Sequence, residues 1–334
     1  MYPPVPVFEF LEQVPSYVDA CTYFITVFML AALVSFQRKW MMITILLSEL
    51  VSCSLDVIRW QPFEYFFIFL FFLYIFYKRS EELFYNGLAL MMASIYLYSG
   101  LHKFNGGFLH VVWDGMILKQ LFGFTTHTIQ QFHLHYAGLL LPVLEVAAGI
   151  GLFIFKDKRL PIYIMVAAHV FITIMIMFNN YNHVVLPWNM AMVCCLLYLR
   201  NNYEFTFNFL YLRRHKIVFA WFVILPLLSL VGLWDKYLSW CVYAGKTISM
   251  DICVKGRDDA SDLQFHISNG DAYNVCNGAG KISIGQLANT ELKLVPYPEE
   301  WYYKKLKKKM QQTYPQMRGK YLVYGYPFKD KKEL

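Results

Sequence analysis

The chain has 334 residues, of which 57% are hydrophobic and only 16% are charged, and its formal net charge is +7. Soluble domains usually carry about 25% charged residues, so this composition excludes an ordinary soluble protein and indicates one that lies in a membrane. Nothing in the sequence resembles a nucleic-acid-binding module, and the excess of basic residues suits a membrane surface. We therefore expect a lipid bilayer, and no nucleic acid, as a partner.

Charged residues are distributed unevenly along the chain. Residues 1–234 contain 14 Lys and Arg and 12 Asp and Glu, whereas the shorter segment 235–334 contains 16 and 11. The density of charge therefore more than doubles after residue 235, which marks a domain boundary. We expect a transmembrane helix bundle over residues 1–235 and a small non-cytoplasmic α+β domain over residues 236–334.

Apolar segments long enough to cross a bilayer recur along the first of these domains. A run of about 18 or more apolar residues with few charges is a candidate membrane helix. Residues 1–19 contain no Lys or Arg, unlike the basic start of a secretory signal peptide, so we expect the first span to be retained. The predicted fold class is an all-α polytopic membrane bundle of about eight spans, followed by the small α+β domain. The expected spans are residues 20–36, 41–58, 63–77, 83–101, 132–155, 161–178, 184–199 and 217–234.

The distribution of Lys and Arg between the loops predicts the orientation. Short cytoplasmic loops are enriched in these residues. Alternate loops contain eleven of them, whereas the intervening loops contain only Arg59, Lys103 and Lys119. This alternation places both termini on the non-cytoplasmic side of the membrane.

The tail has the residue patterns of a compact α+β unit. Alternating apolar residues predict strands, and a proline followed by two acidic residues predicts the start of a helix. The expected strands are residues 247–254, 263–267 and 318–326, with a turn at 269–271 and a helix at 301–312.

Cys253 and Cys276 lie in the tail, and none of the seven cysteines has a CxxC or zinc-site spacing. The predicted orientation puts the tail in a compartment where oxidation is possible. We predict a disulfide between Cys253 and Cys276. Two buried thiols, or Cys241 as a competing partner, are the open alternatives.

Ionisable residues occur inside several expected spans, where burying them is costly and a function is the first hypothesis. Glu49, Ser52 and Asp56 fall on one face of a helix because of their spacing. Glu145 and His169 lie near the middle of the fifth and sixth spans. The alternative is structural, since such groups also form hydrogen bonds between membrane helices.

The loop expected after the fourth span combines a lysine with several histidines. Six of the nine histidines fall in the non-cytoplasmic loops between the spans, among them His102 and His183, but none has HxxxH or HExxH spacing. We therefore expect no metal site. Lys103 directly follows an apolar helix on the side where the positive-inside rule disfavours it. It is either a snorkelling interfacial lysine or a partly desolvated base.

Three segments between residues 98 and 245 carry motifs of one family. Residues 98–105 are Tyr-Ser-Gly-Leu-His-Lys-Phe-Asn, and residues 182–190 are Asn-His-Val-Val-Leu-Pro-Trp-Asn-Met after the helix that contains His169. Residues 232–245 begin Gly-Leu-Trp-Asp and end Tyr-Ala-Gly. Together they resemble the vitamin K-dependent gamma-carboxylase family and its bacterial relatives, the horizontally transferred transmembrane domain (HTTM) proteins.

The resemblance implies a catalytic role for Lys103, as the base that starts oxygenation of vitamin K hydroquinone. It also implies a lipidic quinone or quinol as cofactor and, through its bacterial members, a location in a bacterial inner membrane. Asn105 stands where the family has an acid, and His102 where it has a second lysine. The residues expected to form the substrate or cofactor pocket are His102, Asn105, Glu145, His169, His183 and Asn189.

Three functions compete at this point. The first is a quinol-dependent oxygenase or carboxylase-like enzyme. The second is a non-catalytic membrane subunit that docks a periplasmic or membrane protein partner through its C-terminal domain. The third is a transporter with a proton path through Glu49, Asp56, Glu145 and His169, against which the sequence has no paired repeats or matching broken helices.

Overall fold

The computed structural model describes residues 2–179, 182–202, 206–255, 263–268, 274–328 and 330–334. Across these residues the chain is mostly helical and has a small C-terminal antiparallel sheet. The α-helices are α1 (Ser16–Phe36), α2 (Lys39–Leu55), α3 (Pro62–Tyr77), α4 (Glu81–His102), α5 (Thr126–Gln131), α6 (Leu140–Ile154), α7 (Arg159–Asn179), α8 (Leu186–Asn201), α9 (Leu210–Arg214), α10 (Lys216–Phe219), α11 (Leu225–Ser229), α12 (Ile284–Leu292) and α13 (Glu300–Thr313). Two π-helices, Phe108–Leu121 and Ala220–Ile224, lie between α4 and α5 and between α10 and α11.

Four helical segments of the described chain are long and apolar enough to cross a membrane. The sequence predicts eight spans, and the structure does not support the other four by length and composition. Helices occur at those positions too, but α2 and α3 have only 17 and 16 residues. Helix α4 is long enough, but polar residues along it, such as Asn86, Tyr96 and Tyr98, make it less apolar than the four supported segments. The four supported segments are Ser16–Phe36, Leu134–Ile154, Arg159–Asn179 and His183–Asn201.

The segment after α4 is a helix rather than the expected loop. The Asn105 side chain starts it, because its Oδ1 accepts a hydrogen bond from the backbone N–H of Phe108 at 3.0 Å. Phe108, Val112 and Ile117 are buried along the π-helix Phe108–Leu121. Their spacing of four to five residues matches the π-helix, which has more residues per turn than the α-helix. A sequence search for apolar residues with the 3.6-residue period of the α-helix therefore misses this face.

The residues group into two compact units. The first unit comprises Met1–Ile75 and Ile248–Leu334, and the second unit comprises Phe76–Thr247. In the first unit the hydroxyl oxygens of Tyr2 and Tyr302 are 2.8 Å apart, so the N-terminal segment packs with the tail. The division at residue 235 is a prediction of where the membrane part ends and the soluble part begins. The two compact units are defined by contacts between residues, so they do not test it.

The tail of the first unit contains an antiparallel sheet with β1 in its centre. The strand order is β2-β3-β1-β4-β5. Helix α13 is amphipathic, since Tyr302, Leu306 and Met310 are buried at intervals of four residues. The strands are β1 (Ser249–Val254), β2 (Ile267–Ser268), β3 (Gly280–Ser283), β4 (Gly319–Tyr324) and β5 (Lys331–Glu333).

The predictions for the tail are partly confirmed. Strands β1 and β4 and helix α13 lie where the sequence predicts them. The strand expected over residues 263–267 is wrong, because residues 263–266 form a 3-10 turn and only Ile267–Ser268 pairs with β3. The turn expected at 269–271 lies outside the described residues. Strands β3 and β5 and helix α12 are additions that the residue patterns did not predict.

The predicted disulfide is confirmed. Cys253 in β1 and Cys276, which precedes β3, are bonded, and their Cα atoms are 5.3 Å apart. The bond joins two segments 23 residues apart in sequence. The disulfide therefore links β1 covalently to the segment that leads into its neighbour β3.

Replacing both Cys253 and Cys276 by Ser is expected to destabilise the sheet by about 3 kcal/mol, because the open chain regains loop entropy when it unfolds. Amide hydrogen exchange of β1 and β3 in the full-length protein measures this as a lower opening free energy. Cys21→Ser, at an exposed cysteine, is the matched control. Unchanged protection of β1 in the double variant would contradict the expectation.

Candidate functional site

Lys103 lies directly after α4 and its side chain folds back into the second unit. Its Nζ donates to Ser99 Oγ, one turn earlier, at 2.7 Å. It also contacts both carboxylate oxygens of Glu145 on α6, at 2.8 and 2.6 Å. Lys103 is 5% exposed and Glu145 6%. The snorkelling alternative is therefore wrong, and Lys103 forms a buried ion pair.

Close packing of α4 against α6 brings the two charges together. A Cβ on Gly100 would lie 2.9 Å from the carbonyl oxygen of Pro142 and 3.1 Å from Glu145 Cβ. A Cβ on Gly149 would lie 2.9 Å from the backbone nitrogen of Leu97. Glycine at these two positions allows the backbones of α4 and α6 to approach closely. This approach brings the Glu145 carboxylate within hydrogen-bond distance of Lys103 Nζ.

A second polar cluster contains His169 on α7. Its Nδ1 is 2.8 Å from Asn189 Oδ1 on α8, and its Nε2 is 2.5 Å from the hydroxyl oxygen of Tyr96 on α4. An amide oxygen only accepts, so Nδ1 carries the proton and Nε2 accepts from Tyr96. His169 is thus held as one neutral tautomer. Within the described residues the buried Asn189 Nδ2 has no hydrogen-bond partner.

A cavity of about 270 Å³ lies beside these two clusters. Its polar lining comes from Tyr96 of the histidine cluster and Glu145 of the ion pair, so it joins the two. The remainder of the lining is apolar. The lining residues are Tyr96, Leu141, Leu144, Glu145, Ala148, Ile164, Met165, Ala167, Ala168 and Phe171.

His102 and Asn105 have contacts that are mainly structural. His102 Nε2 is 2.9 Å from Ser229 Oγ on α11. Asn105 Nδ2 donates to the carbonyl oxygens of His102 and Ala244, at 2.6 and 3.0 Å. The Asn105 Nδ2 donor therefore ties the end of α4 to the segment near residue 244, while its Oδ1 accepts from Phe108.

The remaining predicted pocket residue, His183, is exposed in the short 3-10 helix that precedes α8. Its neighbour in the motif, Asn189, is buried and contacts His169. Of the predicted pocket, the described structure gathers Lys103 with Glu145, and His169 with Asn189. His183 forms part of neither cluster.

Tyr96 and Ser99 belong to the site, although the sequence reasoning did not select them. With Lys103 they occupy positions i, i+3 and i+7 of the α4 segment, which is one face of a helix. That spacing, extended backwards from Lys103 along α4, is the signal that identifies them.

Comparison of the chain with protein-family models, with curated proteins and with solved structures found no match.

Lys103→Met is expected to destabilise the protein by about 3–5 kcal/mol, because it leaves the Glu145 carboxylate buried without its partner. The free energy of unfolding in detergent measures the loss. Adding Glu145→Leu to the same chain should recover much of it, since an apolar pair replaces both charges. Lys119→Met, at an exposed lysine, is the control. Wild-type stability of Lys103→Met would mean that the ion pair does not hold α4 to α6.

Proposed function

We propose that the second unit is a membrane enzyme that removes a proton from a lipid-soluble quinol, with Lys103 and Glu145 as the base. The observation that carries this proposal is a buried ion pair, one partner of which, Glu145, also lines an apolar cavity. A base for a water-soluble substrate needs a polar opening. A base beside an apolar cavity suits a substrate that dissolves in the bilayer.

The ion pair has two forms of equal net charge: ammonium with carboxylate, and amine with carboxylic acid. In the second form, one oxygen of Glu145 accepts the hydroxyl proton of the substrate while the other passes its own proton to Lys103 Nζ. The products are a substrate anion, a carboxylic acid and an ammonium ion. Nζ lies in direct hydrogen-bond contact with Glu145, so a proton can pass between the two groups without an intermediary, and the new ammonium stabilises the anion.

The residues present fit a quinol. The cavity volume of about 270 Å³ is close to the lower end of ligand pockets, about 300–1,000 Å³. Its apolar lining suits an aromatic ring, and Tyr96 is part of that lining. The neutral tautomer of His169 fixes the orientation of the Tyr96 hydroxyl through the 2.5 Å contact. A bound quinol would supply the oxidisable ring, which no side chain of this site provides.

The finer points of the fold belong to the same proposal. We propose eight spans, both termini on the non-cytoplasmic side and a location in a bacterial inner membrane, as in the HTTM family that the motifs resemble. Helices at all eight expected positions and the alternation of Lys and Arg support it. Lys103 would then lie near the non-cytoplasmic surface, where a bilayer-dissolved cofactor and a periplasmic substrate can meet.

The alternative function is a non-catalytic subunit that docks a protein partner through the tail. One observation favours it: Phe265, beside β2, is 89% exposed. A large aromatic side chain in water is common at protein interfaces. A stable co-purifying protein, lost on Phe265→Ser and independent of Lys103, would support this function over the enzyme.

The test of the enzyme is quinol-dependent oxygen consumption by the detergent-purified protein supplied with vitamin K hydroquinone or menaquinol. A positioned base typically contributes about 10²–10⁴-fold, so Lys103→Ala and Glu145→Gln should lower the rate by at least about 100-fold. Lys103→Arg should not restore it, because arginine keeps its proton near neutral pH. Lys119→Ala should retain the full rate.

Full activity of Lys103→Arg would contradict the role of Lys103 in the base and would indicate that only its positive charge is needed. Absence of turnover with every quinol tested, in wild-type protein that retains its fold, would contradict the proposal that the substrate is a quinol.

A further inference from the structure

Two carboxylates and a thiol converge in the first unit. Glu49 and Cys53 lie one turn apart on α2, and Glu64 lies in the first turn of α3. One ligand atom from each of these three residues lies within 4.8 Å of the other two. The i, i+4 spacing turns Glu49 and Cys53 to the same side of α2, so that both meet Glu64.

The thiol of Cys53 is buried inside this cluster. Cys53 is 1% exposed, and within the described residues its sulfur has no hydrogen-bond partner and no disulfide. A buried cysteine in an apolar core is normally surrounded by hydrocarbon. The sulfur of Cys53 lies instead within 4.8 Å of a carboxylate oxygen of Glu49 and of one of Glu64.

No described cationic side chain neutralises the two carboxylates. The nearest candidate on the same segment is Arg59, and it is already engaged. Its Nη2 donates to Asp19 Oδ2 at 2.7 Å, and its Nη1 donates to Ser52 Oγ at 2.7 Å. The carboxylates of Glu49 and Glu64 therefore lie within 4.8 Å of each other beside Cys53, and two ionised carboxylates at this distance repel each other unless they share a cation or a proton.

We propose that Glu49, Cys53 and Glu64 bind a divalent metal ion of the zinc type. A thiolate with two carboxylates is a donor set that Zn²⁺ accepts, whereas Mg²⁺ and Ca²⁺ prefer oxygen alone. Zinc bonds of about 2.0–2.3 Å draw the donors closer than their present separation. The flexible side chains of the two glutamates, which are only partly buried, provide that movement.

Three protein ligands leave a fourth position of the tetrahedral ion for water. The ion would fasten α2 to α3, because two ligands come from one helix and one from the other. No sequence motif indicates this site, because Glu49 and Cys53 match no zinc spacing and Glu64 follows eleven residues after Cys53. This proposal does not depend on the quinol proposal, since the three residues belong to the first unit.

The test uses the full-length protein in detergent, stripped of metal with a chelator, and Co²⁺ alone as the probe. We expect one Co²⁺ per chain, an absorption band from sulfur-to-cobalt charge transfer, and displacement of Co²⁺ by added Zn²⁺. Cys53→Ser should abolish the band. Glu49→Gln and Glu64→Gln should each raise the Kd for Co²⁺ by at least about tenfold, in line with the loss of a metal ligand.

Cys21→Ser and Glu12→Gln change an exposed cysteine and a carboxylate elsewhere in the first unit, and should leave binding unchanged. A second measurement needs no variant: Zn²⁺ should slow alkylation of Cys53, but not of Cys21, as followed by peptide mass spectrometry. Absence of the charge-transfer band in wild-type protein, or its persistence in Cys53→Ser, would overturn the proposal. Equal alkylation of Cys53 with and without Zn²⁺ would overturn it as well.

Discussion

The ammonium of Lys103 and the carboxylate of Glu145 are stable inside an apolar helical unit only while they remain in contact. Each charge alone would lose its hydration without compensation, whereas the pair forms two short hydrogen bonds and Ser99 takes a third. This requirement fixes how closely α4 must approach α6. Gly100 and Gly149 meet it by leaving no side chain between the backbones. The geometry of the cavity beside Glu145 follows from the same packing.

The second polar cluster is arranged so that it adds no charge. His169 is held between an acceptor on one side and a hydroxyl donor on the other, which selects the neutral imidazole. Glu145 of the ion pair and Tyr96 of the histidine cluster line one side of an otherwise apolar space. Such a site can polarise or ionise an apolar molecule that carries one weakly acidic hydroxyl group, and it offers little to a strongly hydrated substrate.

Much of the helical framework could be predicted from the sequence, because apolar runs dominate residues 1–235. The partnership of Lys103 with a residue of the fifth expected span was also within reach, since an inward lysine requires a carboxylate and Glu145 is one of few available. A membrane span must be long and apolar as well as helical, so fewer helices qualify. Length and hydropathy support four spans in the described chain, because α2 and α3 are short and α4 contains polar residues along its length.

Other parts depend on contacts that local patterns do not encode. The π-helix Phe108–Leu121 has a period that helical searches miss, and the pairing of β3 with β1 and β2 is a long-range property of the sheet. Residues 263–267 alternate in polarity but Phe265 faces solvent, so alternation alone misled the strand assignment. The approach of Glu64 to Glu49 and Cys53 likewise joins two separate helices and is not encoded in either one alone.

The central claim is that the pair of Lys103 and Glu145 takes a proton from a bound quinol. The most direct measurement is the ultraviolet difference spectrum of vitamin K hydroquinone, added without oxygen to the detergent-purified protein, because the hydroquinone and its anion absorb differently. The account predicts the anion in wild-type protein and in Lys119→Met, and the neutral hydroquinone in Lys103→Met. A neutral spectrum in wild-type protein, or an anion that persists in Lys103→Met, would contradict it.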